Sequence, residues 1–98
     1  MSITKKQNGS TLEIAVEGRL DTVTSPELER ELKTCLEGVD SLTMDCGKLD
    51  YISSAGLRVI LNAHKIMNVK GGMRLIHVNE IVREVFEVTG FADVLTME

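Results

Sequence analysis

Two adjacent hydroxyls, Ser53 and Ser54, are the side chains best placed for chemistry, because Ala55-Gly56-Leu57 follow at once. Downstream, Leu57, Ile60, Leu61, His64 and Met67 recur at helical spacing, with Arg58, Asn62, Lys65 and Val69 on another stripe. Upstream, Leu42 and Met44 alternate with polar residues, as in a strand. The serines therefore stand where a short strand turns into an amphipathic helix. A helix start carries unpaired N–H groups and a partial positive charge, so it accepts an anion, including one attached covalently. This pattern predicts a serine that receives a phosphate rather than one that attacks a substrate. The plainest structural role for the pair is an N-cap, Ser53, and its neighbour.

Catalytic and metal readings fail on pattern. No Gly-x-Ser-x-Gly elbow surrounds either serine, and no base for Ser54 is evident, so a small serine hydrolase has nothing to support it. His64 and His77 lack a third ligand, which argues against a metal. Cys35 and Cys46 lie in unrelated contexts without a C-x-x-C pair, and read as small buried apolar residues of a reduced compartment. No cofactor is expected.

The elements that must position the serines follow from period and punctuation. Asn8-Gly9 signals a hairpin between a short strand, Ile3 to Lys6, and a longer one through Leu12, Ile14 and Val16. Gly18-Arg19-Leu20-Asp21 leads to a helix start with Thr24 or Ser25 as N-cap and Pro26 in the first turn. Leu28, Leu32, Cys35 and Leu36 continue that helix, and Gly38 ends it. A strand over 41–45 precedes the serine helix, which runs from Ser54 to about Met67. Gly71-Gly72 introduces a strand over 73–78, and Ile81 to Val88 form a last helix closed by Gly90. Phe91, Val94 and Leu95 then tuck a tail onto the core.

The order β-β-α-β-α-β-α makes strands separated by a helix parallel, with one antiparallel edge strand from the hairpin. The fold class is α/β, a mixed, mostly parallel sheet with helices packed on it. The carboxyl edge of such a sheet favours ligands and partners. Here it would gather Asp21, Thr22, Asp45, Ser53, Ser54 and Asn79, with Asp45 and Asp50 as loop and turn residues. Gly56 costs about 0.5–1 kcal/mol relative to Ala inside a helix, so it marks either close packing on a strand or room for a partner's backbone. Met44, Met67 and Met73 read as core filler.

Residues 1–98 suffice for a single domain with one core. Eleven Lys and Arg against fifteen Asp and Glu give a charge of −4 without a basic run, which argues against nucleic acid and anionic membrane as partners. One Tyr and two Phe offer no stacking surface for bases. The amino-terminal residues lack the apolar stretch of a signal peptide and no run is long enough to span a bilayer, so the expected location is cytoplasmic.

The segment Asp50-Tyr51-Ile52-Ser53-Ser54-Ala55-Gly56-Leu57-Arg58 resembles the signature loop of STAS domains in bacterial anti-sigma-factor antagonists. Gly18-Arg19-Leu20-Asp21 and its distance from that loop match as well, and the resemblance runs to Val88-Thr89-Gly90-Phe91. The usual motif is Asp-Ser-Ser/Thr-Gly, with its first Ser phosphorylated by an anti-sigma factor that is also a serine kinase. Aligned on Gly56, the acceptor falls on Ser54; Ser53 replaces the usual Asp and is a competing acceptor. The resemblance implies a STAS-like single domain that binds the anti-sigma factor serine kinase, frees a sigma factor, and is reset by a serine phosphatase. It implies no enzymatic activity of its own. Implied partner contacts are Asp21, Thr22, Ser53, Ser54, Gly56, Leu57 and Arg58. The alternative within the family is an unphosphorylated scaffold or a subunit of a transporter-associated complex.

Overall fold

Strand β2 (Thr11–Leu20) organises the sheet, because its ten residues pair with three other strands. The computed structural model describes residues 1–98. Strand β1 (Ser2–Asn8) pairs antiparallel with β2, Asn8 opposite Thr11. The hairpin's central residues are thus Gly9 and Ser10 rather than Asn8 and Gly9, and only Gly9 has positive φ, +64°. Gly in the first central position is the type II′ arrangement, whose twist suits the flanking strands.

Helix α1 (Ser25–Cys35) follows, then β3 (Ser41–Asp45), parallel to the first half of β2. The next element corrects the expected order. Leu49–Ile52 form a strand, β4, parallel to the far end of β2, with Gly18 opposite Leu49 and Leu20 opposite Ile52. Asp50, expected in a turn, is the residue skipped as the register shifts between Gly18 and Arg19. Helix α2 (Ser54–Asn68) leaves β4 after one residue. Strand β5 (Met73–Ile76) lies beside β3, helix α3 (Glu80–Val88) follows, and a 3-10 turn over Phe91–Asp93 leads to β6 (Thr96–Met97) on β5. The sheet is mixed and mostly parallel, in the order β1-β2-β3-β5-β6 with β4 paired to β2.

Strand β5 ends two residues short of expectation because His77 takes a left-handed conformation, φ +56°, which no strand continues. Its Nδ1 lies 3.0 Å from Asp45 Oδ1. The tail buries Leu95 and half-buries Phe91, but Val94 is 49% exposed. Of the cysteines, Cys46 is buried and its thiol is pushed up to about 12, by burial first and then by the Asp45 charge. Cys35, expected to be buried, is half-exposed, with Sγ 3.4 Å from Lys5 Nζ, because polar edge strand β1 covers it only in part.

The core is aliphatic, built from alternate residues of β2 (Leu12, Ile14, Val16) and the inner stripes of the helices. On α2 that stripe is wider than its apolar spacing suggested. Val59 and Ala63 are buried along with Leu57, Ile60 and Met67, whereas His64 and Leu61 are only half-buried. Helix α1 packs along α2 and covers that extra flank. Met44, Met67 and Met73 are all core residues.

Two close fits hold the sheet to its helices and can be tested by substitution. Asn79 caps α3 by accepting the Val82 N–H at 2.9 Å, and its amide donates to the Leu49 carbonyl at 2.7 Å. Asn79→Ala removes both bonds and is expected to cost about 2 kcal/mol in urea unfolding; an unchanged midpoint would show that the cap is idle. A Cβ on Gly56 would stand 2.6 Å from Leu20 Cγ and 2.8 Å from the Leu20 carbonyl oxygen. Gly56→Ala is expected to lose about 1–3 kcal/mol despite the better helix propensity of Ala, and a stabilised variant would contradict the close approach.

Candidate functional site

The site is built where β2 and β4 end side by side. Ser53 N–H donates to the Leu20 carbonyl at 2.9 Å, continuing the parallel ladder one step past Ile52. Asp21 and Ser53 therefore leave adjacent strands at the same level, about 5 Å apart in the direction of the ladder. From there each chain enters a helix. Ser25 N–H donates to the Asp21 carbonyl at 2.8 Å, and the Ser25 hydroxyl donates to the same oxygen. Both helix starts thus hang on Leu20-Asp21.

At the first start, Thr24 holds the N-cap position without capping the helix. Its Oγ1 accepts from the Asp21 N–H at 2.9 Å and donates to the Arg19 carbonyl at 2.7 Å, so it fastens the loop instead. Asp21 Oδ1 accepts the N–H groups of Val23 at 3.0 Å and Thr24 at 3.1 Å, a side-chain turn. The Thr24 amide above all, with the Val23 amide, holds the Asp21 carboxyl below its ordinary 3.8 against the opposing effect of desolvation. Asp21 is accordingly a fixed negative charge beside the serines at any physiological pH.

At the second start, Ser53 is the N-cap, in extended conformation, and its Oγ accepts the Gly56 N–H at a long 3.4 Å. Ser54 is the first residue of α2 and is exposed, and no intramolecular hydrogen bond engages its hydroxyl. The first turn of α2 carries no acidic residue, whereas α1 has Glu27 and α3 has Glu80 at that place. The one helix start without a carboxylate is the one bearing the free hydroxyl. Its N-terminal partial charge is met only by hydroxyls.

The expected contact residues divide. Thr22, Ser54 and Arg58 are exposed, and Asp21 and Ser53 are half-buried, all available to a partner. Gly56 and Leu57 are corrected: both are buried, because the first turn of α2 is pressed onto Leu20. They position the loop and do not form its surface. The expected gathering at one sheet edge is corrected too. Asp45 lies opposite Ala15, whereas Ser53 leaves β4 level with Asp21, six residues further along, so Asp45 sits about 20 Å below the serines. Asn79 is spent on its cap and on Leu49.

Three residues of this surface escaped the sequence reading. The Arg19 guanidinium stacks 4.2 Å from the centre of the Tyr51 ring, and its Nε lies 3.7 Å from Asp21 Oδ2. Val23 stands 85% exposed beside Asp21. The stack depends on the pairing of Arg19 with Tyr51 across β2 and β4, which becomes visible only once β4 is recognised as a strand. Nowhere in the structure do His, Cys, Asp and Glu cluster in a way that could hold a metal ion, and no helix is long and apolar enough to cross a membrane.

Comparison with known proteins meets this geometry. The STAS domain model matches residues 2–98. A Bordetella bronchiseptica protein named as an anti-sigma factor antagonist, BtrV, is 36% identical over 96 residues, spanning 96% of this chain and 83% of the relative. Among solved structures, an anti-sigma factor antagonist from Mycobacterium paratuberculosis superposes with a TM-score of 0.89 at 18% identity, covering 98% of this chain and 83% of that one. The anti-sigma factor antagonist SpoIIAA superposes in its unphosphorylated form with 0.84 at 18% identity, covering 99% and 88% of the two chains. Its phosphorylated form, described as a Bacillus cell fate determinant, gives 0.76 at 17% identity, covering 99% and 91%. At those identities the solved structures speak for the fold; the family rests on the domain match and on the Bordetella relative. The chain belongs to the STAS-domain family of anti-sigma-factor antagonists, regulatory proteins and not enzymes.

Proposed function

We propose that this protein is an anti-sigma factor antagonist of the cytoplasm, switched off by phosphorylation of Ser54. In this reading it binds an anti-sigma factor that is also a serine kinase, which frees the sigma factor. The kinase transfers the γ-phosphoryl of ATP to the Ser54 Oγ, whose proton is lost as ADP departs, and a serine phosphatase hydrolyses the ester. The observation that carries the proposal is the exposed, unbonded hydroxyl of Ser54 on a helix start that lacks a carboxylate. Ser53 is the weaker acceptor, because its oxygen already caps the helix and is half-buried.

The energetics of such a switch are local. A phosphate adds about −1.5 to −2 charges and three acceptor oxygens. The open amino end of α2 favours that charge within the protein, so the fold has no reason to change. SpoIIAA, of the same fold, has been solved in both phosphorylated and unphosphorylated forms, which supports a modification compatible with this architecture. A partner docked over Ser54 must instead desolvate the phosphate, and next to Asp21 the added charge also meets a like one. A hundredfold loss of affinity corresponds to only about 2.7 kcal/mol.

Incubation with ATP and the cognate kinase, followed by intact mass and peptide mapping, is expected to show one added phosphate on Ser54 and none in Ser54→Ala. Ser54→Asp is expected to weaken kinase binding about a hundredfold, while Ser54→Ala binds continuously. Addition to Ser53, or binding indifferent to Ser54→Asp, would overturn the assignment. If no phosphate is taken up and affinity capture retrieves a membrane transporter instead of an ATP-binding kinase, the protein is an unphosphorylated scaffold, the reading that the missing Asp before Ser54 keeps open.

A further inference from the structure

The outer face of α3 carries two parallel ridges that the serine loop does not use. Ile81, Val85 and Val88 form one, and Glu80, Glu84 and Glu87 the other, each at the i, i+4, i+7 spacing that aligns side chains along a helix. Ile81 is 62% exposed and Val88 79%, while Val85 is half-buried. Val82 and Phe86 anchor α3 in the core from the other side and Val85 packs partly against that core, so folding does not require Ile81 and Val88. None of the three glutamates takes part in an ion pair of this chain. Like charges at this spacing weaken a helix, and the single neighbouring cation, Arg83, offsets them only in part.

The exposed Ile81 and Val88 and the acidic excess beside them are not explained by the fold, and together they specify what would cover them. Arg83, the only base on α3, is half-buried and adjoins Glu80 at i+3 and Glu87 at i+4 without an ion pair to either, so three glutamates stand against one arginine and the ridge keeps an acidic excess. A second copy of the chain seated here would bring acid to acid. We propose that this face of α3 is a docking surface for a helical segment of another protein, one whose apolar ridge is flanked by lysines or arginines. The apolar contact supplies affinity, and the charge pattern selects partner and register. The two ridges use no residue of the Ser54 loop, so the proposal does not depend on phosphorylation of Ser54.

The test titrates isotope-labelled protein with two synthetic helical peptides, one with lysines beside a leucine ridge and one with glutamates in their place, followed by amide NMR. The lysine peptide is expected to shift the amides of residues 80–89 and the glutamate peptide to leave them unmoved. Ile81→Ser with Val88→Ser is expected to weaken binding about tenfold or more, and reversing Glu80, Glu84 and Glu87 to Lys to transfer the preference to the glutamate peptide. All five side chains are exposed, and the dispersed amide spectrum of each variant reports that it is folded. Ser54→Asp is expected to leave this binding unchanged; a loss there would overturn the separation of the two surfaces. Equal binding of both peptides, or shifts spread over other acidic parts of the chain, would overturn the proposal. So would self-association in sedimentation that the Ile81, Val88 variant abolishes, since it would make a second copy the occupant.

Discussion

The contact on which the rest of the structure depends is the one between Leu20 and the start of α2. The Leu20 carbonyl accepts the Ser53 N–H, its side chain lies fully buried against Gly56, and Ile52 pairs beside it. Burying a leucine of this kind contributes about 1.5–3 kcal/mol. Its larger effect is geometric. Any side chain at position 56 would push α2 off the end of β2, and with it Ser53, Ser54 and the half-buried edge of Asp21. A serine that must be presented to a partner needs a rigid support, and here one buried residue ties two strands and two helix starts together.

That support also explains how the surface can be polar and still well defined. The loop after β2 has no apolar packing of its own beyond Leu20 and Leu28, and Val23 projects outward. It is held by hydrogen bonds instead, Thr24 bridging Arg19 and Asp21 while Asp21 collects two amides. Bonds to an ionised carboxylate are the stronger kind, and here they depress the carboxyl's pKa as well as fix its direction. The stack of Arg19 on Tyr51 extends the same ordered surface across β4.

Much of this arrangement was legible in the residues, and the exceptions have physical causes. Two helix starts announced themselves through Pro26 and Ser53, because capping chemistry is local, whereas Asn79, the cap of α3, read only as a residue of the sheet edge. Strand β4 did not, because its two buried residues, Leu49 and Ile52, are three apart and the pairing skips Asp50, so no period of two survives. Missing β4 had a consequence for the site. Without it the serine loop seems to follow β3 directly, and Asp45 falls beside Ser54 instead of far below it. The left-handed His77 was equally hidden: His is enriched in that conformation, but positive φ stays uncommon outside Gly and one His at the end of a strand-like run does not signal it. The inward turn of Gly56 and Leu57 required knowing what α2 rests on; from composition alone, contact with a partner and contact with Leu20 were equally open.

The distribution of charge around the helix starts bears on why position 54 is suited to a switch. Helices α1 and α3 each place a glutamate in the first turn, Glu27 and Glu80, where it complements the partial positive charge at that end. Helix α2 leaves this place to hydroxyls, giving up a stabilising term that surface carboxylates usually supply at about 0.3–1 kcal/mol. The same vacancy lets the helix start accept a charge arriving at Ser54, which offsets part of the repulsion from the neighbouring Asp21 carboxylate. A permanent acid there would satisfy the helix but fix the surface in its charged state. A serine keeps both states within reach of one fold, and the larger part of the free-energy difference between them falls where a partner must approach, beside a smaller change at the helix start.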